Sequence, residues 1–134
     1  MNWTRIVFSF LTSTVLCSFT DWYFFGVLFH DRYLKTPGVW KKYKDKGDEM
    51  KSIGISQGIL SISSLVFILA CSHLGLIAFW SSLAAAAALW VMIPVPLLVT
   101  NAIYIPMDRL IVVSHSLGWL SRLMLTAMCI SWIL

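Results

Sequence analysis

The sequence predicts an all-α integral membrane protein, one domain of four transmembrane helices spanning residues 1–134, and three observations carry that prediction. Hydrophobic residues make up 59% of the chain and charged residues 12%, against the ~25% charge that wets a soluble domain. The charges cluster, leaving four apolar segments almost free of them. No segment alternates polar and apolar with the period of two that a membrane β-barrel requires.

The first segment covers about residues 6–29 and is interrupted only by Asp21. It runs past the ~7–15 apolar residues of a signal-peptide core with no A-x-A-like cleavage site after it, so a retained helix is expected. The second covers about 53–74, the third 79–105 and the fourth 110–133. Each exceeds the ~20 residues that cross ~30 Å of hydrocarbon at ~1.5 Å per residue.

The connections differ in character. Residues 30–52 form the sizeable loop, with Pro37-Gly38 and the run Lys41-Lys42-Tyr43-Lys44-Asp45-Lys46. The link around Gly75 is short and uncharged, which makes the second and third helices an antiparallel hairpin. In the turn Pro106-Met107-Asp108-Arg109, Asp108 is placed to cap the fourth helix. The 30–52 loop and this turn share one side and hold eight Lys/Arg, whereas the other side holds only Arg5. The positive-inside rule then makes the basic loop cytoplasmic and both termini non-cytoplasmic, with a bacterial inner membrane as the expected location. Seven of the ten basic residues lie in that one loop, so the net charge of +4 argues for a membrane surface and against nucleic acid.

Small residues mark the helix-packing faces. Ser9, Ser13, Cys17 and Asp21 recur every four residues on the first helix, and Gly54-x-x-x-Gly58 with Ser61 forms a second small face. Such faces let backbones approach closely. On the fourth helix His115, Gly118 and Arg122 share a stripe. An ionisable group at bilayer depth costs roughly 2.5–3.5 kcal/mol even on the mildest scale, and normally finds a partner or a watery cavity. Counted from the cytoplasmic ends, Asp21 lies ~12 Å deep, Arg122 ~18 Å and His115 ~8 Å. A direct Asp21–Arg122 pair is therefore expected.

Pro94 and Pro96 should kink the third helix and free the carbonyls of Trp90 and Met92, an alternative partner for Arg122. Gln57 is placed to meet Thr100 and Asn101, so that Asp21, Arg122, His115, Asn101 and Gln57 would form an intramembrane polar site. Trp3, Trp80 and Trp132 are expected in one interfacial belt, and Trp22, Tyr33 and Tyr104 in the other.

The catalytic inventory is thin, with no nucleophile elbow, phosphate loop, zinc motif or paired carboxylates. His30, His73 and His115 differ in depth or side, so no metal site is expected. The candidates for acid, base and charge stabilisation are Asp21, Tyr23, His115 and Arg122. Cys17, Cys71 and Cys129 form no C-x-x-C motif and no disulfide framework, and free thiols are expected. No cofactor is called for, although the apolar interior leaves room for a bound lipid, quinone or pigment.

The segment Asp21-Trp22-Tyr23-Phe24-Phe25-Gly26-Val27-Leu28-Phe29 resembles a signature in the first helix of a family of small four-helix bacterial membrane proteins, domain-of-unknown-function family 1761. There a Trp-Tyr pair is followed by Phe and Gly, then by a tryptophan in the next loop, which Trp22, Tyr23, Phe25, Gly26 and Trp40 match. Asn101, the Asp108-Arg109 turn and Gly118 are similar to that family's second half. The resemblance implies a fold and a location, not an activity.

The functional expectation is a contact protein: an accessory or structural subunit of a larger membrane assembly, its partners being the bilayer and other transmembrane subunits or copies of itself. The alternatives are a small-solute or lipid transporter, and a membrane-embedded isomerase or cyclase acting on an apolar substrate.

Overall fold

A computed structural model describes residues 2–35, 43, 45–106 and 108–134. Among them the chain is helical, with no strand. Helix α1 is Trp3–Asp21, capped by Asn2, whose side chain accepts from the Arg5 N–H. It runs straight into a π-helical segment, Trp22–Leu28. Helix α2 is His30–Lys35, α3 is Lys46–Leu74, α4 is Phe79–Met92, α5 is Pro94–Tyr104 and α6 is Arg109–Ile133.

Three stretches are long and apolar enough to cross a membrane: Lys46–Leu74, Phe79–Tyr104 and Arg109–Ile133. Helix α1 falls short of them because Thr4, Ser9, Thr12, Ser13, Thr14, Ser18 and Thr20 dilute it and Asp21 ends it.

The departures from the expected boundaries have local causes. Helix α3 starts at Lys46 rather than residue 53, because Asp45 caps it at 2.8 Å on the Asp48 N–H. Asp48 and Glu49 then fill its first turn, where the helix dipole favours acids. The expected 30–52 loop therefore shrinks, and holds α2 as well. The expected third helix is two helices. Ile93 leaves the helical region at φ −121°, ψ −69°, and Pro94 takes the first position of α5, where its missing N–H and fixed φ do no harm. Gly75 ends α3 at φ +71°, a conformation costly for a residue with a Cβ. Asp108 caps α6 through the Leu110 N–H at 2.7 Å.

Helix α6 is central: α1, α3, α4 and α5 all contact it. Ile6, Phe67, Ile68, Cys71, Ala86, Leu123, Ala127 and Ile130 form one core cluster. Those positions belong to the half of the bundle nearest the termini, where Arg5 Nη1 also donates to the Leu134 carbonyl at 3.1 Å. Hydroxyl contacts run beside this cluster: Ser82 donates to the Ala127 carbonyl at 3.2 Å, and Thr126 Oγ1 lies 3.4 Å from Ser64 Oγ. Trp3, Trp80 and Trp132 are exposed toward the terminal end, and Trp22 and Tyr104 toward the other. Tyr33, expected in the second belt, is instead buried against Ser114 at 3.0 Å. Cys17, Cys71 and Cys129 are buried free thiols.

Candidate functional site

Three helices converge on one carboxylate. Asp21 is the last residue of α1, Gln57 lies on α3 and Arg122 on α6. The stripe Ser9, Ser13, Cys17, Asp21 is buried at every position, because its small side chains let α1 lie close on its neighbours. That face delivers Asp21 to the interior. Arg122 Nη2 donates to Asp21 Oδ2, and also to Gln57 Oε1 at 3.2 Å. Gln57 Nε2 donates to the same Asp21 Oδ2 at 3.1 Å. The two charged side chains are 2% and 5% exposed. Opposite charges so buried repay their lost hydration only through close contact and further hydrogen bonds. Gln57 supplies those bonds to both partners.

The pair borders a cavity of about 670 Å³ at the end of the bundle away from the termini. Small-molecule sites occupy roughly 300–1,000 Å³. Its walls come from the end of α1, the π-helical segment, α2, the first half of α3 and α6. Trp22, Phe25, Ile53, Leu60 and Trp119 give it an apolar lining, and Glu49, Ser52, Ser56 and His115 add polar groups. No residue of α4 or α5 lines it, so the proline break is not part of this site.

The π-helical segment sets the wall. Phe29 N–H bonds to the Phe24 carbonyl five residues back at 3.0 Å, the wide turn that is rare in proteins and recurs at functional sites. It carries the Phe25 ring onto Gly118, where an added Cβ would lie 3.0 Å from Phe25 Cζ. Phe25 also packs on His115, with ring centroids 5.0 Å apart, and on Tyr33 at 6.1 Å. Tyr33 in α2 meets His115 edge-on at 5.7 Å, which ties the short helix to α6. Burial pushes the Tyr33 phenol above its ordinary pKa, and the Ser114 hydrogen bond draws it partly back.

The structure brings Asp21, Gln57, Arg122 and His115 together, with buried Gly118 beside them. Ser61 donates to the Gln57 carbonyl at 2.7 Å. Other expected partners lie elsewhere. Gln57 meets the ion pair rather than Thr100 and Asn101, and half-buried Asn101 stays on α5 outside the cavity. Arg122 bonds to side chains rather than to the Trp90 and Met92 carbonyls. Tyr23 is half-exposed and off the cavity wall, because the π turn directs Trp22 and Phe25 there instead. Gly54 and Gly58 are exposed, with nothing within 4 Å of an added Cβ among the described residues. No three His, Cys, Asp or Glu side chains among the described residues are placed to hold a metal ion.

Glu49, Ser56 and Trp119 carry no signal in the sequence, while Phe25 stands out there as part of the family resemblance and Tyr33 as a belt aromatic, neither as a cavity residue. Gln57, Ser61 and Ser64 follow helical spacing, a signal that marks the inward face of α3, but nothing local announces a cavity.

No protein-family model, curated protein sequence or solved structure matches this chain.

Proposed function

We propose that this chain is an integral membrane protein of four spans that holds a small amphipathic molecule in the cavity beside the Asp21–Arg122–Gln57 cluster. The observation that carries this reading is the cavity itself: about 670 Å³ with aromatic and aliphatic walls and one buried polar cluster at its edge. Such a site suits a ligand with an apolar body and one polar end. Three spans rest on length and hydropathy. The fourth is α1 with its π-helical continuation, Trp3 to Leu28, together longer than the ~20 residues a crossing needs. The basic loop then faces the cytoplasm, both termini lie on the other side, and the cavity sits near the cytoplasmic face.

A second reading, an accessory subunit acting by contact, is favoured by one observation. The open Gly54 and Gly58 stand beside exposed Ile55, Ile59 and Ile62, a surface that another transmembrane helix can approach closely.

Native mass spectrometry of protein released from lipid nanodiscs tests the first reading. Wild type should carry one non-protein adduct per chain, and Ser56→Trp, which fills the cavity from an exposed position, should carry none. A foreign polypeptide at fixed stoichiometry with no such adduct would favour the second reading instead.

A further inference from the structure

We infer that the molecule held in the cavity has an uncharged head group carrying both a hydrogen-bond donor and an acceptor, such as an alcohol, a phenol or a primary amide. This rests on the ligand-holding reading above and adds the chemical class. The argument begins with charge. At the inner edge of the cavity one carboxylate and one guanidinium already neutralise each other, both almost fully buried. Among the described lining residues no lysine, further arginine or further carboxylate lies beside the pair, so a charged head group placed there would go uncompensated, and such a buried charge is strongly disfavoured. Glu49, the other carboxylate on the wall, is in the first turn of α3. It lies eight residues before Gln57, ~12 Å away along the helix, at the loop end rather than beside the pair.

Hydrogen-bonding capacity narrows the class further. Among the described residues both bonds to Asp21 fall on Oδ2, which leaves Oδ1 free to accept. Gln57 is engaged at both ends of its amide. Arg122 Nη1 is buried without a partner among the described residues, a donor left over in a side chain that lines the cavity. One acceptor on Asp21 and one donor on Arg122, on the two paired side chains that line the cavity, complement a neutral group offering the reverse pair. Trp22, Phe25 and Trp119 supply flat apolar surface for the rest of the molecule.

Equilibrium dialysis of protein in lipid nanodiscs against three labelled probes of one chain length tests the class: dodecanol, dodecanesulfonate and dodecyltrimethylammonium. Ser56→Trp nanodiscs give the background. Ser56 is exposed and no hydrogen bond of its side chain is recorded among the described residues, so that variant keeps its helical circular dichroism. Dodecanol should saturate at one per chain, bind at least tenfold more tightly than either charged probe, and lose that binding in Ser56→Trp. Tightest binding of the sulfonate would assign the head group to the free guanidinium nitrogen as an anion, and tightest binding of the ammonium would assign it to the carboxylates as a cation. Either result, or equal affinity for all three, overturns the neutral class while leaving the cavity reading intact. Binding of all three no stronger than to Ser56→Trp would sink the ligand-holding reading itself.

Discussion

Removing either member of the buried ion pair should be expensive, and unequally so. Arg122 and Asp21 are 2% and 5% exposed at their side chains, and breaking such a pair from one side costs about 3–5 kcal/mol because the survivor stays buried and uncompensated. Arg122→Ala leaves Asp21 with the Gln57 amide at 3.1 Å, and a carboxylate can also take up a proton. Its loss should fall near about 3 kcal/mol. Asp21→Ala leaves a guanidinium that cannot shed its proton and that, among the described residues, already has Nη1 unpartnered and keeps one side-chain acceptor, Gln57 Oε1 at 3.2 Å. Its loss should approach about 5 kcal/mol. The double variant removes both charges at once and should lose far less than the sum, with a coupling near the top of the 0.5–3 kcal/mol range for residues in contact. Unfolding from mixed micelles by sodium dodecyl sulfate, followed by far-ultraviolet circular dichroism, measures all three. Additive losses, or a larger loss for Arg122→Ala than for Asp21→Ala, would refute the reasoning.

Gly118→Ala should destabilise by about 1–3 kcal/mol, the usual cost of overpacking, since its Cβ would meet Phe25 Cζ at 3.0 Å; adding Phe25→Leu should recover most of the loss in the same unfolding assay. Tyr33→Phe should cost about 0.5–1.5 kcal/mol by deleting the 3.0 Å contact with Ser114, and Ser114→Ala should then add little. Burial raises the Tyr33 pKa above its ordinary 10.0, so the folded chain favours the neutral phenol; that contribution is full below pH 10 and fades as the pH rises through the folded value. A pH series of unfolding curves should show this alkaline slope in wild type and a shallower one in Tyr33→Phe. For orientation, a single cysteine at Lys46 in a cysteine-free background should be shielded from an impermeant thiol reagent in intact cells, and labelling there would invert the proposed topology.

Much of the architecture is legible in the sequence because one solvent argument dominates. Long apolar runs broken by charge clusters locate α3, α6 and the α4–α5 stretch, and burial cost alone pairs Asp21 with Arg122. The less legible features depend on competition between neighbours. Asp45 outbids the apolar boundary and starts α3 early, since a cap acts at short range whatever the hydropathy around it. A bend expected at Pro94 and Pro96 becomes a break because Ile93 leaves helical geometry just before a proline that makes a good first residue. The π turn at Trp22–Leu28 carries no spacing signature, yet it decides that Phe25 rather than Tyr23 reaches the site. Gly54 and Gly58 show the limit of a motif: Gly-x-x-x-Gly marks a face open to close approach without saying which neighbour takes it.

The central claim is that the cavity bounded by the π-helical segment holds a small molecule with its polar end at Asp21. A density map of the full chain in lipid nanodiscs tests it most directly. The account predicts the wide turn over Trp22–Leu28 and non-protein density between Trp22 and Trp119 that reaches hydrogen-bond distance of Asp21 Oδ1. A regular α-helix through Trp22–Leu28, with the Trp119 ring collapsed into the space, would contradict it.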